Sequence, residues 1–329
     1  MQIARVTPQE HSEFLNLVNA EIRPGRAKTN AWDDFPLILA PENLDWMLAV
    51  RDDQGRIAAG IACLIREIKT SCGNLGVAGI GSVVTRPDCQ GRGFSSALQN
   101  EMLSLLRRNN VPLGVLWTDQ PEIYAGRGFI AAGWEVHVDI AETDLATGLD
   151  PAAEIRNFHT GDTPAVEVLY SQHSLRTVRL PGDSELLYNM PGTTGLVLVG
   201  PNNVPLASVF CGKGADFPDY VAEWSGPDEM ILLLLNRARE LELAHHVLVP
   251  ADSESLVNLL VDRGASWFAQ PSGQWVVLDP AALKTFCNSS GTTPAAHVND
   301  PREWLGTVDG QGNPQPGPLG IAIWGFDSV

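Results

Sequence analysis

The chain contains 329 residues, of which 44% are hydrophobic, and its 39 acidic and 22 basic residues give a formal charge of −17. This length is typical of two domains, and the apolar content is sufficient for a core in each. The negative charge argues against nucleic acid or an anionic membrane as the main partner, because few cations remain to neutralise phosphate groups.

The sequence carries no signal for export or membrane insertion. Met1 is followed directly by a mixed polar segment, and no apolar run is long enough to cross a bilayer. We therefore predict a cytoplasmic protein. The cysteines are scattered and never in a CxxC spacing, which predicts reduced thiols and neither a disulfide framework nor a metal site. They are Cys63, Cys72, Cys89, Cys211 and Cys287.

Strands dominate the predicted elements of the first half. Apolar runs bounded by turn residues predict strands at 3–7, 46–50, 57–65, 76–85, 113–117 and 128–140. Apolar residues at helical spacing predict one helix after the first strand and another over 94–110, and a short helix is expected at 120–127. Arg107 and Arg108 lie in the last turn of the 94–110 helix, where cations interact favourably with its dipole.

The order of these elements repeats in weaker form in the second half. The predicted elements there are a hairpin over 195–211 turning at Asn202 and Asn203, a strand at 220–224, a helix at 227–243, a strand at 246–250, a short helix, and a strand at 274–279. This repetition indicates a degenerate internal duplication. We expect an N-terminal domain over 1–145, a linker within 141–154, a degenerate domain over 155–285, and a tail over 286–329 whose apolar end packs back onto a domain.

The segment QGRGFSSA, residues 90–97, places two glycines between the strand 76–85 and the helix 94–110. Gly91 and Gly93 let backbone N–H groups point into one concavity, and the positive end of the helix adds to it, so the loop suits a phosphate or pyrophosphate. A turn with a purely geometric role is the alternative. The loop has neither the GK[ST] of a P-loop nor the GxGxxG spacing of a dinucleotide fold.

These residues resemble the signature of the GNAT superfamily of acyl-CoA N-acyltransferases, Q/R-x-x-G-x-G/A at a strand-to-helix junction. The segment from Gln90 to Phe94 matches it, and Ser95 departs by a small side chain where Gly or Ala is usual. IYAGRGF, residues 123–129, resembles the Tyr-x-x-x-Gly-Phe segment of the same family. The resemblance covers about residues 1 to 140.

The layout resembles the tandem-GNAT proteins, including the enhanced-intracellular-survival type of aminoglycoside acetyltransferase, in which an active N-terminal domain precedes a degenerate one. That type also carries a sterol-carrier-like third domain, for which too few residues follow the second unit here. The resemblance implies an α/β protein of two GNAT-like acyl-CoA N-acyltransferase domains, each a mixed twisted sheet flanked by helices.

The resemblance also implies acetyl-CoA as co-substrate. The backbone of the strand before the loop would bond the pantetheine arm, and the N–H groups of the loop would bind the pyrophosphate. The implied coenzyme-binding residues are Val83, Val84, Thr85, Gln90, Gly91, Arg92, Gly93, Phe94, Ser95 and Ser96.

The catalytic roles rest on position. The resemblance makes Tyr124 the general acid that protonates the departing thiolate, whereas the alternative is a tyrosine packed beside Phe129. Asp119 is our first candidate for the general base, with Glu122 and the carboxylate of Val329 as alternatives. Acidic residues at such positions are also common as helix caps.

In the second half, SGPDEM, residues 225–230, stands where the glycine loop should be. Pro227 removes an N–H donor, and Asp228 and Glu229 would repel a pyrophosphate, so this unit should not bind coenzyme A in the manner of the first. His137 and the pair His245 and His246 fit no metal or triad spacing, and we expect structural roles for them.

We therefore expect an N-acetyltransferase that acts on a small-molecule or peptide amine by direct attack in a ternary complex. The alternative is a non-catalytic module that senses acyl-CoA. The residues that line the acceptor side are expected in loops such as 20–45 and 177–193. A homo-oligomer is compatible with the apolar tail.

Overall fold

The computed structural model describes residues 2–25, 29–145 and 154–328. The strands are β1 (Ile3–Arg5), β2 (Met47–Arg51), β3 (Ile57–Thr70), β4 (Gly73–Thr85), β5 (Leu113–Leu116), β6 (Ile130–Ala131), β7 (Glu135–Asp139), β8 (Glu154–Asn157), β9 (Arg176–Val178), β10 (Thr194–Val199), β11 (Pro205–Cys211), β12 (Tyr220–Ser225), β13 (His246–Pro250), β14 (Ser266–Gln270), β15 (Gln274–Val277), β16 (Gly306–Val308) and β17 (Pro314–Pro316). The α-helices are α1 (His11–Ile22), α2 (Ala31–Asp34), α3 (Phe94–Arg108), α4 (Glu122–Ala125), α5 (Thr163–Tyr170), α6 (Asp183–Tyr188), α7 (Asp228–Glu240), α8 (Glu254–Val261), α9 (Pro280–Ser289) and α10 (Pro301–Leu305).

The first sheet has the strand order β1-β2-β3-β4-β5-β15-β6, and β9 pairs with the far end of β3. Its strands pair antiparallel except β4 with β5. Helix α3 packs on this sheet through Leu98, Met102 and Leu106, and α1 packs on it through Phe14 and Val18 in a separate apolar cluster. The sheet is therefore mixed and flanked by helices.

The second sheet repeats this plan with the order β14-β7-β13-β12-β11-β10-β8. It too contains a single parallel pair among the described strands, β12 with β13. Helix α7 buries Ile231 and Leu235 in the core of this unit, and α8 buries Leu256 and Leu260 there. The predicted fold class, two mixed sheets each flanked by helices, is confirmed.

Two strands do not pair where the order of the sequence suggests. We expected 128–140 to close the first sheet, but only β6 does so, and β7 lies between β13 and β14 of the second sheet. Conversely, β15, which comes from the second half of the chain, lies between β5 and β6 in the first sheet. The domain boundaries 1–145, 155–285 and 286–329 stay a prediction. A strand from each of the first two predicted domains lies in the sheet of the other. Strand pairing is a long-range choice that the period-2 pattern of a strand does not encode.

The apolar tail lies between the two sheets. Leu319, Ile321 and Ile323 pack in a cluster with residues of the first sheet, whereas Ala322 and Trp324 pack in the core of the second unit. This alternation is that of an extended chain with an apolar surface on each side. The expected return of the tail onto the domains is confirmed, because these five side chains are all at most 6% exposed.

Trp324 gives a direct measure of what the tail contributes to stability. The side chain is 2% exposed and contacts the rings of Trp224 and His173, with centroids 5.7 and 5.2 Å away. We expect Trp324→Ala to lower the free energy of unfolding by about 3–5 kcal/mol, because it leaves a large cavity in the core of the second unit. Urea denaturation measures the change. Leu186→Ala, at a 50% exposed position, is the control and should shift stability by less than about 0.5 kcal/mol.

Candidate active site

The first sheet splits at its parallel pair. β4 and β5 pair over Val77–Gly79 and Leu113–Val115, and their pairing ends there. Beyond this point β4 carries a bulge, with a register shift against β3 and a φ of 53° at Ser82. Val84 and Thr85 remain paired with β3 on one edge, so the opposite edge of the Val83–Thr85 backbone faces the opening between the strands.

The glycine loop lies at the mouth of this split. Gly91 and Gly93 have φ of 75° and 77°, and a Cβ on either would meet no atom within 4 Å, so the backbone conformation rather than space favours glycine. Within the described residues, the backbone N–H groups of residues 91–96 donate to no protein acceptor. These six donors at the start of a 15-residue helix form a site for an anion.

A cavity of about 480 Å³ collects most of the predicted coenzyme-binding residues. It is lined by Val83, Val84, Thr85, Gln90, Gly91, Gly93, Phe94, Ser95 and Ser96. Arg92 is exposed and does not line it. The loop is supported from behind by Arg86, whose guanidinium binds Asp52 at 2.7 Å and Asp88 at 2.6 Å.

A second cavity of about 530 Å³, which we call the Asp119 chamber, lies beside the first across the bulge. The two share Ile22, and their walls meet where Ser82 is followed by Val83. The chamber is lined from the first unit by residues that include Arg23, Phe35, Trp117 and Asp119, from the second by Lys213, Asp216 and Phe217, and from the tail by Ser328. Both units and the tail therefore contribute to one cavity.

The candidates for the general base lie in different surroundings. Asp119 lines the chamber, whereas Glu122 is exposed in the first turn of α4 and lines neither cavity. Val329 lies outside the described residues, although its neighbour Ser328 lines the chamber.

Tyr124 is half-buried on α4, and its ring meets Phe129 edge to face with centroids 6.0 Å apart. It lines neither cavity, and its hydroxyl makes no hydrogen bond with another described residue. Burial raises the pKa of Tyr124, and the Asp119 carboxylate raises it further while Arg127 opposes them. The hydroxyl therefore stays protonated at neutral pH, which suits an acid, and its catalytic role stays a prediction.

A protein family model matches the segment that contains the split sheet and the free N–H groups. The coenzyme cavity lies within this segment, and the Asp119 chamber lies partly within it. Residues 2–132 match the model described as Acetyltransferase (GNAT) domain. We call residues 2–132 the GNAT domain, after the model that they match. No curated protein sequence matches the chain.

Solved structures of similar fold extend beyond the GNAT domain. A probable N-acyltransferase from Enterococcus faecalis has a TM-score of 0.65 at 15% identity, covering 84% of this chain and 72% of that one. A GCN5-related N-acetyltransferase from Anabaena variabilis has 0.63 at 15%, covering 86% and 74%. Eis1 from Mycobacterium abscessus has 0.61 at 15%, covering 86% and 75%. At such identities the likeness shows the fold, and it includes both units.

The second unit has no counterpart of the glycine loop of the GNAT domain. β12 ends at Ser225 and α7 begins at Asp228, leaving only Gly226 and Pro227 between them, whereas residues 86–93 separate β4 from α3. Gly226 is also tightly packed, because a Cβ there would lie 2.8 Å from Ala207 Cα. The junction thus lacks the long loop with free N–H groups that the first unit has, and the expectation that it does not bind coenzyme A in the same manner stays a prediction.

The histidines have protein partners. His137 stacks on Phe268 with ring centroids 4.8 Å apart and lies 3.2 Å from the Tyr220 hydroxyl. His245 and His246 both face Asp219. Within residues 2–25, 29–145 and 154–328, no group of three or more His, Cys, Asp or Glu side chains could hold a metal ion, and no helix is both long and apolar enough to cross a membrane.

The sequence indicated part of the chamber wall and missed the rest. Some residues of 20–45 line the chamber, and others line a separate groove of about 880 Å³ together with residues of 177–193. The assignment of both segments to the acceptor side therefore stays a prediction. Lys213 was missed. Its signal in the sequence is a lysine between two glycines directly after an apolar strand, and a lysine in a turn is more often exposed than buried.

Proposed function

We propose that this protein transfers an acetyl group from acetyl-CoA to an amine, of a small molecule or a peptide, by direct attack in a ternary complex. The observation that carries the proposal is the row of free N–H groups over residues 91–96 beside the split between β4 and β5, inside a GNAT domain. Neutral donors at a helix start suit a pyrophosphate. The open edge of Val83–Thr85 suits the amides of a pantetheine arm, since a strand edge pairs with extended amide groups.

The Asp119 chamber supplies the acceptor side. Its aromatic walls, Phe35, Trp117 and Phe217, suit an amine. Arg23 binds Asp216 at 2.8 Å, whereas Asp119 makes no ion pair with a described residue and is the carboxylate left to interact with the amine. The chamber adjoins the part of β4 that would hold the thioester, so an amine bound there lies next to the acyl carbon. Holding both reactants in one site is itself a large part of the rate enhancement.

The reaction needs one base and one acid. The amine nitrogen forms a bond to the acyl carbon, and Asp119 accepts the proton that the nitrogen loses. The carbon–sulfur bond breaks, and the Tyr124 hydroxyl donates its proton to the departing thiolate. Both side chains stand near the carboxyl end of β5, and they are close enough for Asp119 to affect the pKa of Tyr124.

Release of free thiol from acetyl-CoA tests the proposal. The enzyme is mixed with acetyl-CoA and, in separate reactions, with polyamines, aminoglycosides and peptides, and thiol is measured with a chromogenic disulfide. We expect release that depends on at least one amine, and an acetylated amine of the corresponding mass. Tight acetyl-CoA binding with no amine-dependent release across the panel would contradict the proposal and favour the sensing module.

The stoichiometry of coenzyme binding is a separate prediction. One unit has the glycine loop and the other has a two-residue junction, so titration calorimetry should give one acetyl-CoA site per chain. Two sites of comparable affinity would contradict the interpretation of the second unit.

A further inference from the structure

The end of the described chain is attached to the second unit. The Asp327 carboxylate accepts hydrogen bonds from Arg179 Nη2 at 2.8 Å and from the Tyr170 hydroxyl at 2.7 Å. The same guanidinium binds Glu223 on β12, and the side chains of Arg179, Glu223 and Asp327 are at most 4% exposed. Breaking either pair would leave a buried charge without its partner, so residue 327 is firmly fixed.

Lys213 extends this attachment by one residue. It follows β11 in the second unit and is 2% exposed. Its ammonium donates to the backbone carbonyl of Ser328 and to Ser328 Oγ, the latter at 2.6 Å. Ser328 Oγ in turn donates to the carbonyl of Gly325 at 2.9 Å. Ser328 is thus held in the wall of the Asp119 chamber by a side chain of the second unit.

The loop that carries Lys213 is pressed against the GNAT domain. Gly214 has a φ of 52°, and a Cβ there would lie 1.9 Å from Asp34 Oδ1 on α2. Only glycine permits this approach, which brings the ammonium of the second unit within 5.9 Å of the centre of the Phe35 ring. The position of the lysine therefore depends on contact between the units.

Burying the ammonium group of Lys213 at this position destabilises the folded state. Burial lowers the pKa of Lys213 to about 8, although carboxylates near it oppose the shift. The charged groups that face it are Asp216 of its own loop, Asp34 on α2, Glu223 on β12, Asp327 in the tail, and Arg23 and Asp119 in the chamber wall. An apolar residue of similar length would fill the same volume without this cost, so packing alone does not account for a lysine.

We propose that Lys213 is a positioning residue of the transfer reaction, which holds Ser328 in the wall of the Asp119 chamber. The second unit lacks its own coenzyme loop and instead supplies part of the acceptor side of the GNAT domain. The kinetic part of this inference rests on the proposed function, and the attachment of Ser328 does not.

Lys213→Met tests the kinetic part at neutral pH, because methionine keeps the volume and removes the donor. We expect kcat with an active amine to fall about 10-fold or more, since small displacements in a reaction chamber have effects of this size. The Kd for acetyl-CoA should be unchanged, because Lys213 does not line the coenzyme cavity. Lys284→Met, at an exposed position on α9, is the matched control and should retain full turnover.

The thermal stability of Lys213→Met distinguishes a positioning role of Lys213 from a purely structural one. Between pH 8 and 10.5 the unfolded chain holds a proton on this lysine that the folded chain has released, so the lysine destabilises the fold fully below pH 8 and less as pH rises through this window. Lys213→Met should therefore melt no lower than wild type at neutral pH, and its advantage should shrink toward pH 10.5. A variant that loses activity only in proportion to a lower Tm would overturn the proposal.

Carboxypeptidase digestion tests the attachment without any turnover. The release of Ser328 is followed by intact mass and should be slow in wild type. It should be faster in Lys213→Ala and should remain slow in Lys284→Met. Equal release from all three would overturn the inference even if the enzyme is active. If wild type acetylates no amine but Lys213→Ala loses protection, the proposed function fails and the attachment stands.

Discussion

Gly93→Asp should abolish acetyl-CoA binding in a chain that remains folded. The substituted carboxylate would stand among the free N–H groups of residues 91–96, where it would take their hydrogen bonds and repel the pyrophosphate. Folding should survive, because a Cβ at this position meets no atom within 4 Å and aspartate tolerates the left-handed φ of 77° better than most residues. Titration calorimetry measures the binding.

Gly291→Asp is the matched control for this change. Gly291 has a φ of 76° and open space at its Cβ, and it lies after α9, outside both cavities. The control introduces the same charge and backbone strain, so it should bind acetyl-CoA as wild type does. Normal affinity in folded Gly93→Asp would mean that the loop is only a turn.

Tyr124→Phe should lower turnover by roughly 10² to 10⁴ while the affinity for acetyl-CoA is retained, which is the usual range for loss of a general acid. Phenylalanine keeps the edge-to-face contact with Phe129 and removes only the hydroxyl. That hydroxyl makes no hydrogen bond with a described residue, so stability should change little. Steady-state kinetics with a saturating amine measure the effect.

The donor provides an internal check on this role. A thioester whose thiol is more acidic needs less protonation as it leaves, so the loss in Tyr124→Phe should be smaller with such a donor. Tyr220→Phe, in the second unit, is the control and should turn over like wild type. Full activity of folded Tyr124→Phe would assign the tyrosine to packing beside Phe129 alone.

The sequence by itself determined the features that depend on neighbouring residues. The stripe over 94–110 predicted α3, which runs from Phe94 to Arg108 and buries Leu98, Met102 and Leu106. Asn202 and Asn203 marked the turn between β10 and β11, where their φ are 78° and 59°. Gly91 and Gly93 marked the loop with free N–H groups, because a left-handed backbone before a helix start is a local requirement.

Only the tertiary structure decided which strands pair and what the chamber contains. β7 and β15 have the composition of ordinary strands, and nothing in their residues indicates that each joins the sheet of the other unit. Lys213 and Ser328 are separated by 115 positions, and their contact exists because the tail returns between the two sheets. Propensity and periodicity act over a few residues, whereas such contacts depend on how whole elements pack. The glycine loop could therefore be predicted from the sequence, and the composition of the Asp119 chamber could not.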